Sequence, residues 1–325
     1  MVSKKKAFIT GIAGFAGSYL AEYLLERGYS VFGLVAPGER TDNIKSIIND
    51  IDLVRFDILK RDRLAAYLKR LEADYIYHLA AVTSVGESFG RERDTYRINF
   101  TGSLNLFEAA SGQSRRPAGI LFVSSSDVYG IFRPQRTVLD EDHRLNPVSP
   151  YAVSKAAGEY LARYHGRQGG LPIIIVRPFN HTGPRQTDKF VVPSFCRKIA
   201  TIEAGQQKPD MGVGNLTARR DLSDVRDIVA GYYLALTAGR PGEVYNLCTG
   251  TAVSIRNVLD KLRRFSEVRI RVVANKKLYR KLDVPILRGD NTRAKRELGW
   301  SPTYKLSETL LETLEYWRQK VHKSV

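Results

Sequence analysis

The chain has few cysteines and no long apolar run. Cys196 and Cys248 are its only cysteines among 325 residues, and no spacing of Cys and His typical of a metal site occurs. No stretch approaches the roughly 20 apolar residues that a transmembrane helix needs. The basic start MVSKKKAFITG is broken at Thr10 and Gly11 before it could form a signal-peptide core. We therefore expect a cytoplasmic protein with reduced, structural cysteines, no bound metal and no association with membranes.

Acidic residues are scarce relative to basic ones. The 51 lysines and arginines exceed the 34 aspartates and glutamates, which gives a net charge of +17. Such an excess suits a polyanionic partner, either a nucleic acid or a phosphorylated small molecule. The basic residues are scattered along the chain, and no helix-turn-helix, zinc-finger or RNA-binding motif is present. The sequence therefore predicts no nucleic-acid partner, and a solvated basic surface accounts for most of the charge.

The first half of the chain alternates short apolar runs with segments of helical period. Strands are predicted over 6–10, 30–35, 52–56, 75–79, 119–124 and 172–177. Helices are predicted between them over 17–27, 41–48, 61–71, 94–110 and 151–166. This alternation is typical of βαβ units, so the fold class is α/β: a doubly wound parallel sheet of the Rossmann type with helices on both faces.

The alternation ends after about residue 178, where Pro and Gly become frequent. Further helices are predicted over 190–203, 224–237, 254–264, 291–297 and 305–320. The change indicates a smaller, mixed α/β lobe at the carboxyl ends of the strands, where ligands bind in open α/β sheets. We assign 1–178 and about 225–250 to a dinucleotide-binding Rossmann domain, and 179–224 and 251–325 to the substrate-binding lobe.

Three glycines, Gly11, Gly14 and Gly17, lie in ITGIAGFAG between the first strand and the first helix. At such a junction the first glycine permits a tight turn, the second lets the backbone approach a pyrophosphate, and the third lets helix and strand pack closely. The helix N-terminus beyond them offers N–H groups and a positive dipole to phosphates. The spacing is G-x-x-G-x-x-G rather than G-x-G-x-x-G, and a purely structural turn is the alternative. The position in the first βα unit favours a dinucleotide site.

The end of the second strand lacks the acid that usually binds the ribose of NAD. Residues 34–36 are Leu, Val and Ala where an Asp or Glu is expected. Arg40 follows and could reach a 2′-phosphate, although Asp42 is nearby and Arg40 could equally be a loop charge. The pattern favours NADP(H) over NAD(H) as the cofactor. Asp57, after the third strand, is placed to accept a hydrogen bond from the adenine amino group.

Tyr151 and Lys155 lie four residues apart at the start of a predicted helix and therefore share one face. An ammonium group beside a phenol stabilises the phenolate and lowers its pKa, which would make Tyr151 a usable proton donor or acceptor. Upstream, the apolar strand GILFV ends in three serines, and a hydroxyl at that sheet edge can bind a substrate oxygen whose charge changes during hydride transfer. Tyr-x-x-x-Lys also occurs on ordinary surface helices. The glycine loop, the serines and the Tyr151–Lys155 pair follow one another along the chain in this order. Together they indicate an oxidoreductase site.

These motifs, which span almost the whole chain, resemble the extended short-chain dehydrogenase/reductases that act on nucleotide sugars. The matching segments are ITGIAGFAGSYLAEYLLERGY, HLAA, YRINFTGSLNLFEAA, VSSSDVYG, SPYAVSKAAGEY, RPFNHTGPRQ, RRDLSDVRDIVAGYYLAL, GEVYNLCTG and LDVPILRGD. FNHTGPRQ and VGNLTARRDLSDVRDIV are similar to the subgroup of GDP-mannose 4,6-dehydratase and GDP-4-keto-6-deoxymannose reductase.

The resemblance implies a role for each matching residue. Tyr151 would be the acid-base group, Lys155 would hold the nicotinamide ribose, and Ser125 would bind the C4 oxygen of the sugar. The further cofactor contacts that it implies are Phe15, Ala16, Ile58, Leu79, Ala80, Ala81, Asn99 and His181. The implied substrate contacts are Ser84, Ser126, Asn180, Arg185, Arg220 and Arg280, with Arg220 and Arg280 on the diphosphate. Surface charges for those two arginines and a loop cap for Asn180 are the alternatives.

Position 127 bears on the reaction. All these enzymes move a hydride at C4, and a 4,6-dehydratase also needs an acid and a base for C5 and C6, usually with a Glu two residues before the tyrosine equivalent to Tyr129. Here that residue is Asp127, which is one methylene shorter and could also be a simple turn residue. We expect an NADP(H)-dependent 4-keto reductase of a 4-keto-6-deoxy nucleotide sugar, with a GDP-linked sugar favoured. The alternatives are a GDP-mannose 4,6-dehydratase with Asp127 as base, a 4-epimerase, and a non-catalytic dinucleotide-binding scaffold.

The loop LVAPGERTDN after the second strand bears on assembly. GDP-mannose dehydratases often carry paired arginines there, which bind NADP and help to form a tetramer, and this loop has no such pair. Its absence favours the reductase. It also favours a homodimer, built from the helices around 94–110 and 151–166, over a tetramer.

Overall fold

Parallel strands dominate the computed structural model, which describes residues 4–132, 137–279 and 284–323. The described strands are β1 (Lys6–Thr10), β2 (Ser30–Val35), β3 (Ile51–Arg55), β4 (Tyr75–His78), β5 (Gly119–Val123), β6 (Ile173–Pro178), β7 (Asn180–Thr182), β8 (Asp210–Val213), β9 (Arg219–Asp224), β10 (Val244–Leu247), β11 (Ala252–Ser254), β12 (Arg271–Ala274) and β13 (Ile286–Leu287). The described α-helices are α1 (Phe15–Glu26), α2 (Arg61–Leu71), α3 (Val85–Ser88), α4 (Glu92–Tyr96), α5 (Gly102–Ser111), α6 (Pro150–Gly169), α7 (Val191–Glu203), α8 (Val225–Ala238), α9 (Ile255–Arg264), α10 (Thr292–Leu298) and α11 (Leu306–His322). Short 3₁₀ helices cover Asp42–Ile47, Ser126–Tyr129 and Lys276–Leu278.

Seven of these strands form one parallel sheet, in the order β10-β6-β5-β4-β1-β2-β3. The chain builds outwards from β1 in one direction and then, starting with β4, in the other. Loops that leave β1 and β4 at their carboxyl ends therefore diverge and open a crevice. This is the predicted doubly wound Rossmann arrangement, and the six strands predicted in the first half are present to within one residue at each end.

Both faces of this sheet are buried, which explains why its strands are continuously apolar. Along β1, Phe8 packs into one core and Ile9 into the other, and Ile76 and Tyr77 of β4 alternate in the same way. Helices α1 and α8 cover the face of Ile9 and Tyr77, whereas α2, α5 and α6 cover the face of Phe8 and Ile76. Side chains on opposite faces of each strand thus both lie in apolar surroundings.

The helix predicted over 94–110 is present but irregular. Helix α4 continues through a π-helical stretch, Arg97–Thr101, into α5. Within that stretch the side-chain amide of Asn99 donates to the Val82 carbonyl and to Ser154 Oγ, at 3.1 and 2.9 Å, and accepts from the Val82 amide at 2.8 Å. The wider π-helical turn accommodates this buried amide. The spacing of apolar residues in the sequence does not indicate such an irregularity. The predicted helix over 41–48 is a 3₁₀ segment.

The remaining described strands form two smaller sheets. Strand β9 pairs with β11, β13 and β7, while β8 pairs with β12. Helices α7, α9 and α11 enclose a third apolar core that includes Cys196, and Cys248 is likewise a buried free thiol. Among the described helices, none is both long and apolar enough to cross a membrane. The residue limits of the two domains stay a prediction, although β10 does lie in the main sheet.

Candidate active site

A cavity of about 1120 Å³ lies at the carboxyl ends of the parallel strands. The loops that follow β1, β4, β5 and β6 all line it. Most of the residues singled out in the sequence lie in this lining: Gly11, Gly14, Phe15, Ala16, Gly17, Asp57, Ile58, Leu79, Ala80, Ala81, Ser84, Ser125, Ser126, Asp127, Tyr151, Lys155, Asn180, His181 and Arg220. Residues far apart in the sequence thus meet in one cleft.

The glycine loop packs too tightly for side chains. Gly11 has a left-handed φ of 73°, and a Cβ on it would lie 3.0 Å from the Cα of Ala80. A Cβ on Gly17 would overlap the carbonyl oxygen of Gly11, and one on Gly14 would lie 3.1 Å from that same oxygen. Helix α1 begins directly after Gly14 and presents its N-terminus at the cavity. This bare turn and helix end fit the diphosphate of a dinucleotide.

A chain of buried polar groups holds the wall that packs beside the glycine loop. Thr10 Oγ1 accepts from the Ala80 amide at 3.1 Å and lies 2.8 Å from His78 Nδ1, while His78 Nε2 lies 2.8 Å from Ser103 Oγ. Burial lowers the pKa of His78 to about 3, and the charge of Lys155 lowers it further in the same direction. His78 is therefore neutral, and its two ring nitrogens tie β4 to β1 and α5.

Ser125 and Asp127 bond to one another where β5 ends. Ser125 Oγ donates to Asp127 Oδ2 at 3.0 Å and accepts from the Asp127 amide at 3.1 Å. Tyr151 is buried in the first turn of α6, which Ser149 caps through a 3.1 Å bond from the Ala152 amide. One turn later, Lys155 Nζ donates to the carbonyl oxygen of Val123 at 2.7 Å.

The charges around Tyr151 differ from those expected. Burial raises the pKa of Tyr151, the negative charge of Asp127 raises it further, and a hydrogen bond with Ser125 partly opposes them. The expected lowering by Lys155 is wrong, because that ammonium group is directed at the carbonyl oxygen of Val123. Burial lowers the pKa of Lys155 to about 8, against the opposing charge of Glu159. Tyr151 is consequently a neutral phenol at physiological pH.

Arg220, an expected substrate contact, and His181, an expected cofactor contact, both line the cavity. Arg220 Nη1 donates to the Val284 carbonyl at 2.6 Å, so its guanidinium is held at the cavity wall. His181 stacks on Phe15 with ring centroids 5.9 Å apart, and its Nδ1 lies 3.0 Å from the Phe179 carbonyl. Burial lowers the pKa of His181, so it contributes a neutral ring.

Three expected contacts that fall within the described residues are not in the lining. Arg40 is exposed and paired with Asp42, the loop-charge alternative, and Arg185 binds Glu22 of α1 through two bonds of 3.0 and 2.9 Å. These ion pairs satisfy both guanidinium groups away from the cavity, so the geometry gives no support to Arg185 as a substrate contact. Asn99 lies behind the wall and supports it through Val82. Arg280 lies outside the described residues.

Several residues that line the cavity are not predicted from the sequence. Glu39 lines the cavity beside the second strand, and its carboxylate accepts from the Ala36 amide at 3.1 Å. Lys189 Nζ lies 2.5 Å from Glu87 Oε1, and both of these side chains line the cavity. They lie in loops or in the very short α3, where neither periodicity nor a motif indicates a position in space.

Known proteins of one family are similar to this chain along nearly its whole length. A family model described as GDP-mannose 4,6 dehydratase matches residues 8–313. GDP-6-deoxy-D-mannose reductase of Pseudomonas aeruginosa is 32% identical over 98% of this chain and 99% of its own length. GDP-mannose 4,6-dehydratase of Vibrio cholerae is 28% identical over 95% of this chain and 92% of its own. The solved structure of RMD from Pseudomonas aeruginosa complexed with NADPH has a TM-score of 0.85 at 32% identity, over 98% of this chain and 100% of its own.

Replacing Gly17 by Ala is expected to weaken dinucleotide binding by at least about tenfold, equivalent to about 1.4 kcal/mol. The new Cβ would overlap the Gly11 carbonyl oxygen and displace the turn. Titration of NADPH fluorescence measures the loss. Gly166→Ala is the control, because its Cβ would make an ordinary 3.6 Å contact in α6. An unchanged Kd in folded Gly17→Ala would show that the turn does not hold the diphosphate.

Proposed function

The chain belongs to the GDP-mannose 4,6-dehydratase family of extended short-chain dehydrogenase/reductases, and we propose that within it the protein is an NADP(H)-dependent 4-keto reductase. The proposed substrate is a 4-keto-6-deoxy nucleotide sugar, with GDP-4-keto-6-deoxymannose favoured. The match with GDP-6-deoxy-D-mannose reductase along the full length of both chains supports this choice. The protein is an enzyme with a nicotinamide dinucleotide cofactor and a nucleotide-sugar substrate; the reaction, sugar and base are the proposal.

The observation that carries the proposal is the position of the Asp127 carboxylate. It bonds to Ser125 at 3.0 Å and, together with burial, raises the pKa of Tyr151. A reductase begins with a protonated acid beside a ketone, which this neutral phenol provides. Dehydratases usually carry a Glu at this position as their base, whereas Asp127 is one methylene shorter. Its carboxylate also accepts a hydrogen bond from Ser125, the residue expected to hold the C4 oxygen, which makes it less available as a base for the proton on C5.

The residues divide the work of reduction between them. The dinucleotide, when bound, supplies the hydride that reduces C4. Ser125 would hold the C4 oxygen by a hydrogen bond, and Tyr151 would deliver a proton to that oxygen as negative charge develops on it. Lys155, whose pKa of about 8 leaves it mostly charged at neutral pH, would hold the nicotinamide ribose. Arg220 would bind the substrate diphosphate.

Two assays test the reaction. Incubation with GDP-4-keto-6-deoxymannose and NADPH is expected to oxidise NADPH, whereas GDP-mannose alone is expected to give no keto product. Formation of a keto product from GDP-mannose would make the protein a dehydratase with Asp127 as base. Interconversion of C4 epimers without net cofactor change would make it an epimerase.

Tyr151→Phe is expected to keep NADPH binding and to lower turnover by about 10²-fold or more, because the variant has no phenol to donate the proton. Retention of most activity would refute the role of Tyr151.

The preference for NADP(H) is proposed on two grounds. No acid stands at the end of β2, and the similar RMD structure contains NADPH. Arg40 is exposed and follows Glu39, which lines the cavity, and an exposed ion pair such as the one with Asp42 is weak enough to exchange for a phosphate. Glu39 is the residue that opposes this preference, since its carboxylate lines the cavity and could accept a hydrogen bond from the ribose of NAD.

Arg40→Ala is expected to raise the KM for NADPH about tenfold or more, the loss of one charge-assisted contact, and to leave the KM for NADH unchanged. Steady-state kinetics with both cofactors measures the difference. Arg61→Ala is the matched control, because Arg61 forms a similar exposed pair with Glu108 outside the cavity lining. Preference of the unaltered enzyme for NADH, weakened by Glu39→Gln, would reverse the assignment.

We also propose a homodimer through the exposed face of α6. Val153, Tyr160 and Tyr164 recur at helical spacing there and are 39%, 68% and 61% exposed, and Phe100 lies on the adjacent π-helical stretch. Tyr160→Asp is expected to yield monomers in analytical ultracentrifugation, because a charge would be buried at the interface. Tyr279→Asp is the control, because Tyr279 is also an exposed tyrosine, at 51%, but lies elsewhere on the surface. A monomeric unaltered protein would refute the dimer.

The location of the protein in the cytoplasm stays a prediction.

A further inference from the structure

A buried ion pair lies directly behind the catalytic residues. Arg177, near the end of β6, donates from Nε to Glu159 Oε1 at 2.9 Å and from Nη2 to Glu159 Oε2 at 2.7 Å. Both side chains are nearly inaccessible, at 3% and 1% exposed. Burying two charges costs free energy because both lose their hydration, and a buried ion pair therefore does not in general stabilise a fold. Its position raises the question of what the pair does for the site.

Glu159 and Lys155 together grip the end of β5. They lie one turn apart on the same face of α6. Lys155 Nζ donates to the carbonyl oxygen of Val123 at 2.7 Å, and the next residue, Ser124, donates its hydroxyl to Glu159 Oε1 at 2.5 Å. The residue after that is Ser125. Two successive residues are thus held by α6 immediately before the serine that faces the substrate site.

Arg177 secures the other end of the same turn. Its Nη1 donates to Tyr129 Oη at 2.9 Å and to the Glu141 carbonyl at 3.0 Å. Tyr129 in turn donates to Asn246 Oδ1 of β10 at 2.8 Å. The segment from Ser124 to Tyr129, which contains Ser125 and Asp127, is therefore fixed at both ends by one ion pair.

We propose that Glu159 and Arg177 are positioning residues that hold Ser125, Asp127 and Lys155 in register for proton transfer, with Glu159 also providing the counter-charge of Lys155. The proposal rests on the use of Ser125, Tyr151 and Lys155 at C4, but not on the direction of the reaction. Neither residue of the pair lines the cavity, so both act through the groups that do.

The charges that face Lys155 make the second part of this role measurable. Burial lowers the pKa of Lys155 to about 8, and Glu159 is the group that opposes this shift. From the other elements, His78 of β4 is neutral, Arg177 is neutralised by Glu159, and Asp127 and the neutral Tyr151 lie towards the cavity. Loss of the Glu159 charge therefore lowers the pKa of Lys155 further. The ammonium form is then lost at a lower pH.

Glu159→Gln is the test, assayed by NADPH oxidation over a range of pH. The alkaline limb of kcat, which falls as Lys155 deprotonates, is expected to move about one pH unit or more towards acid. At neutral pH, kcat is expected to fall about ten- to hundredfold, with little change in the KM for the sugar nucleotide. Hydrogen exchange is expected to accelerate in the peptide that spans residues 124–129, a readout that does not depend on turnover.

Glu203→Gln is the matched control. Glu203 also forms a double hydrogen bond with an arginine, Arg318, at 2.8 and 2.7 Å, but far from the cavity lining. It is expected to leave the pH profile and the exchange of residues 124–129 unchanged. Arg177→Lys, which keeps the charge but not the double bond, is expected to lower kcat while leaving the alkaline limb near its original pH.

Removal of Glu159 leaves Arg177 buried without its partner, which could prevent folding. The double variant Glu159→Gln, Arg177→Met removes both charges, and a smaller shift of the alkaline limb in the same direction is expected for it, because the uncompensated positive charge of Arg177 is removed as well. A folded variant with the unaltered enzyme's profile and exchange would overturn the inference. An unaltered enzyme that lacks reductase activity would overturn the proposed reaction instead. The exchange measurement, and the pH profile of whichever C4 reaction occurs, would still decide the role of Glu159.

Discussion

The docking of α6 onto the end of β5 is the contact on which the site depends. The helix contributes the ammonium group that caps the Val123 carbonyl, the carboxylate that binds Ser124, and the hydroxyl of Ser154 that meets Asn99. All three are buried polar contacts, which are costly to leave unsatisfied, so they define one register of helix against strand. That register places Tyr151 against Ser125 at the mouth of the crevice.

Burial sets the protonation states around this contact. The same exclusion of water that raises the pKa of Tyr151 lowers those of Lys155 and His78. A neutral phenol, a marginally stable ammonium ion and a neutral imidazole result from one common cause. The ionised pair of Glu159 and Arg177 persists beside them because its charges are matched by several hydrogen bonds.

The Rossmann sheet could be predicted from the sequence because its signals are local. Continuous apolar strands, helical periodicity and glycines at the first βα junction each depend on neighbouring residues. The same holds for Tyr151 and Lys155, which one helix brings together. Arg185 could not be assigned in this way, because its ion pair with Glu22 joins residues far apart in the sequence, whereas the pairing of Arg40 with Asp42 is one of the two alternatives that the sequence leaves open.

The direction of the pKa shift of Tyr151 was predicted wrongly for a related reason. A spacing of four shows that a lysine shares a helix face with a tyrosine, but not where its ammonium group points. The Val123 carbonyl, from a strand distant in sequence, decides that. Glu159 had a local signal, its place one turn after Lys155, whereas its partner Arg177 stands in a run, IIIVRP, that otherwise reads as a buried strand.

The path of the chain between its sheets restricts how the cleft can open. After β6 the chain leaves the large sheet for β7 and β9, returns through α8 to β10, and departs again to β11. Several chain connections therefore run between the large sheet and the smaller sheets. A hinge motion of one part against the other would have to distort all of these connections. Entry of a bulky ligand is therefore expected to use rearrangement of short segments such as the one bearing Lys189, which lines the cavity, rather than a hinge between the sheets.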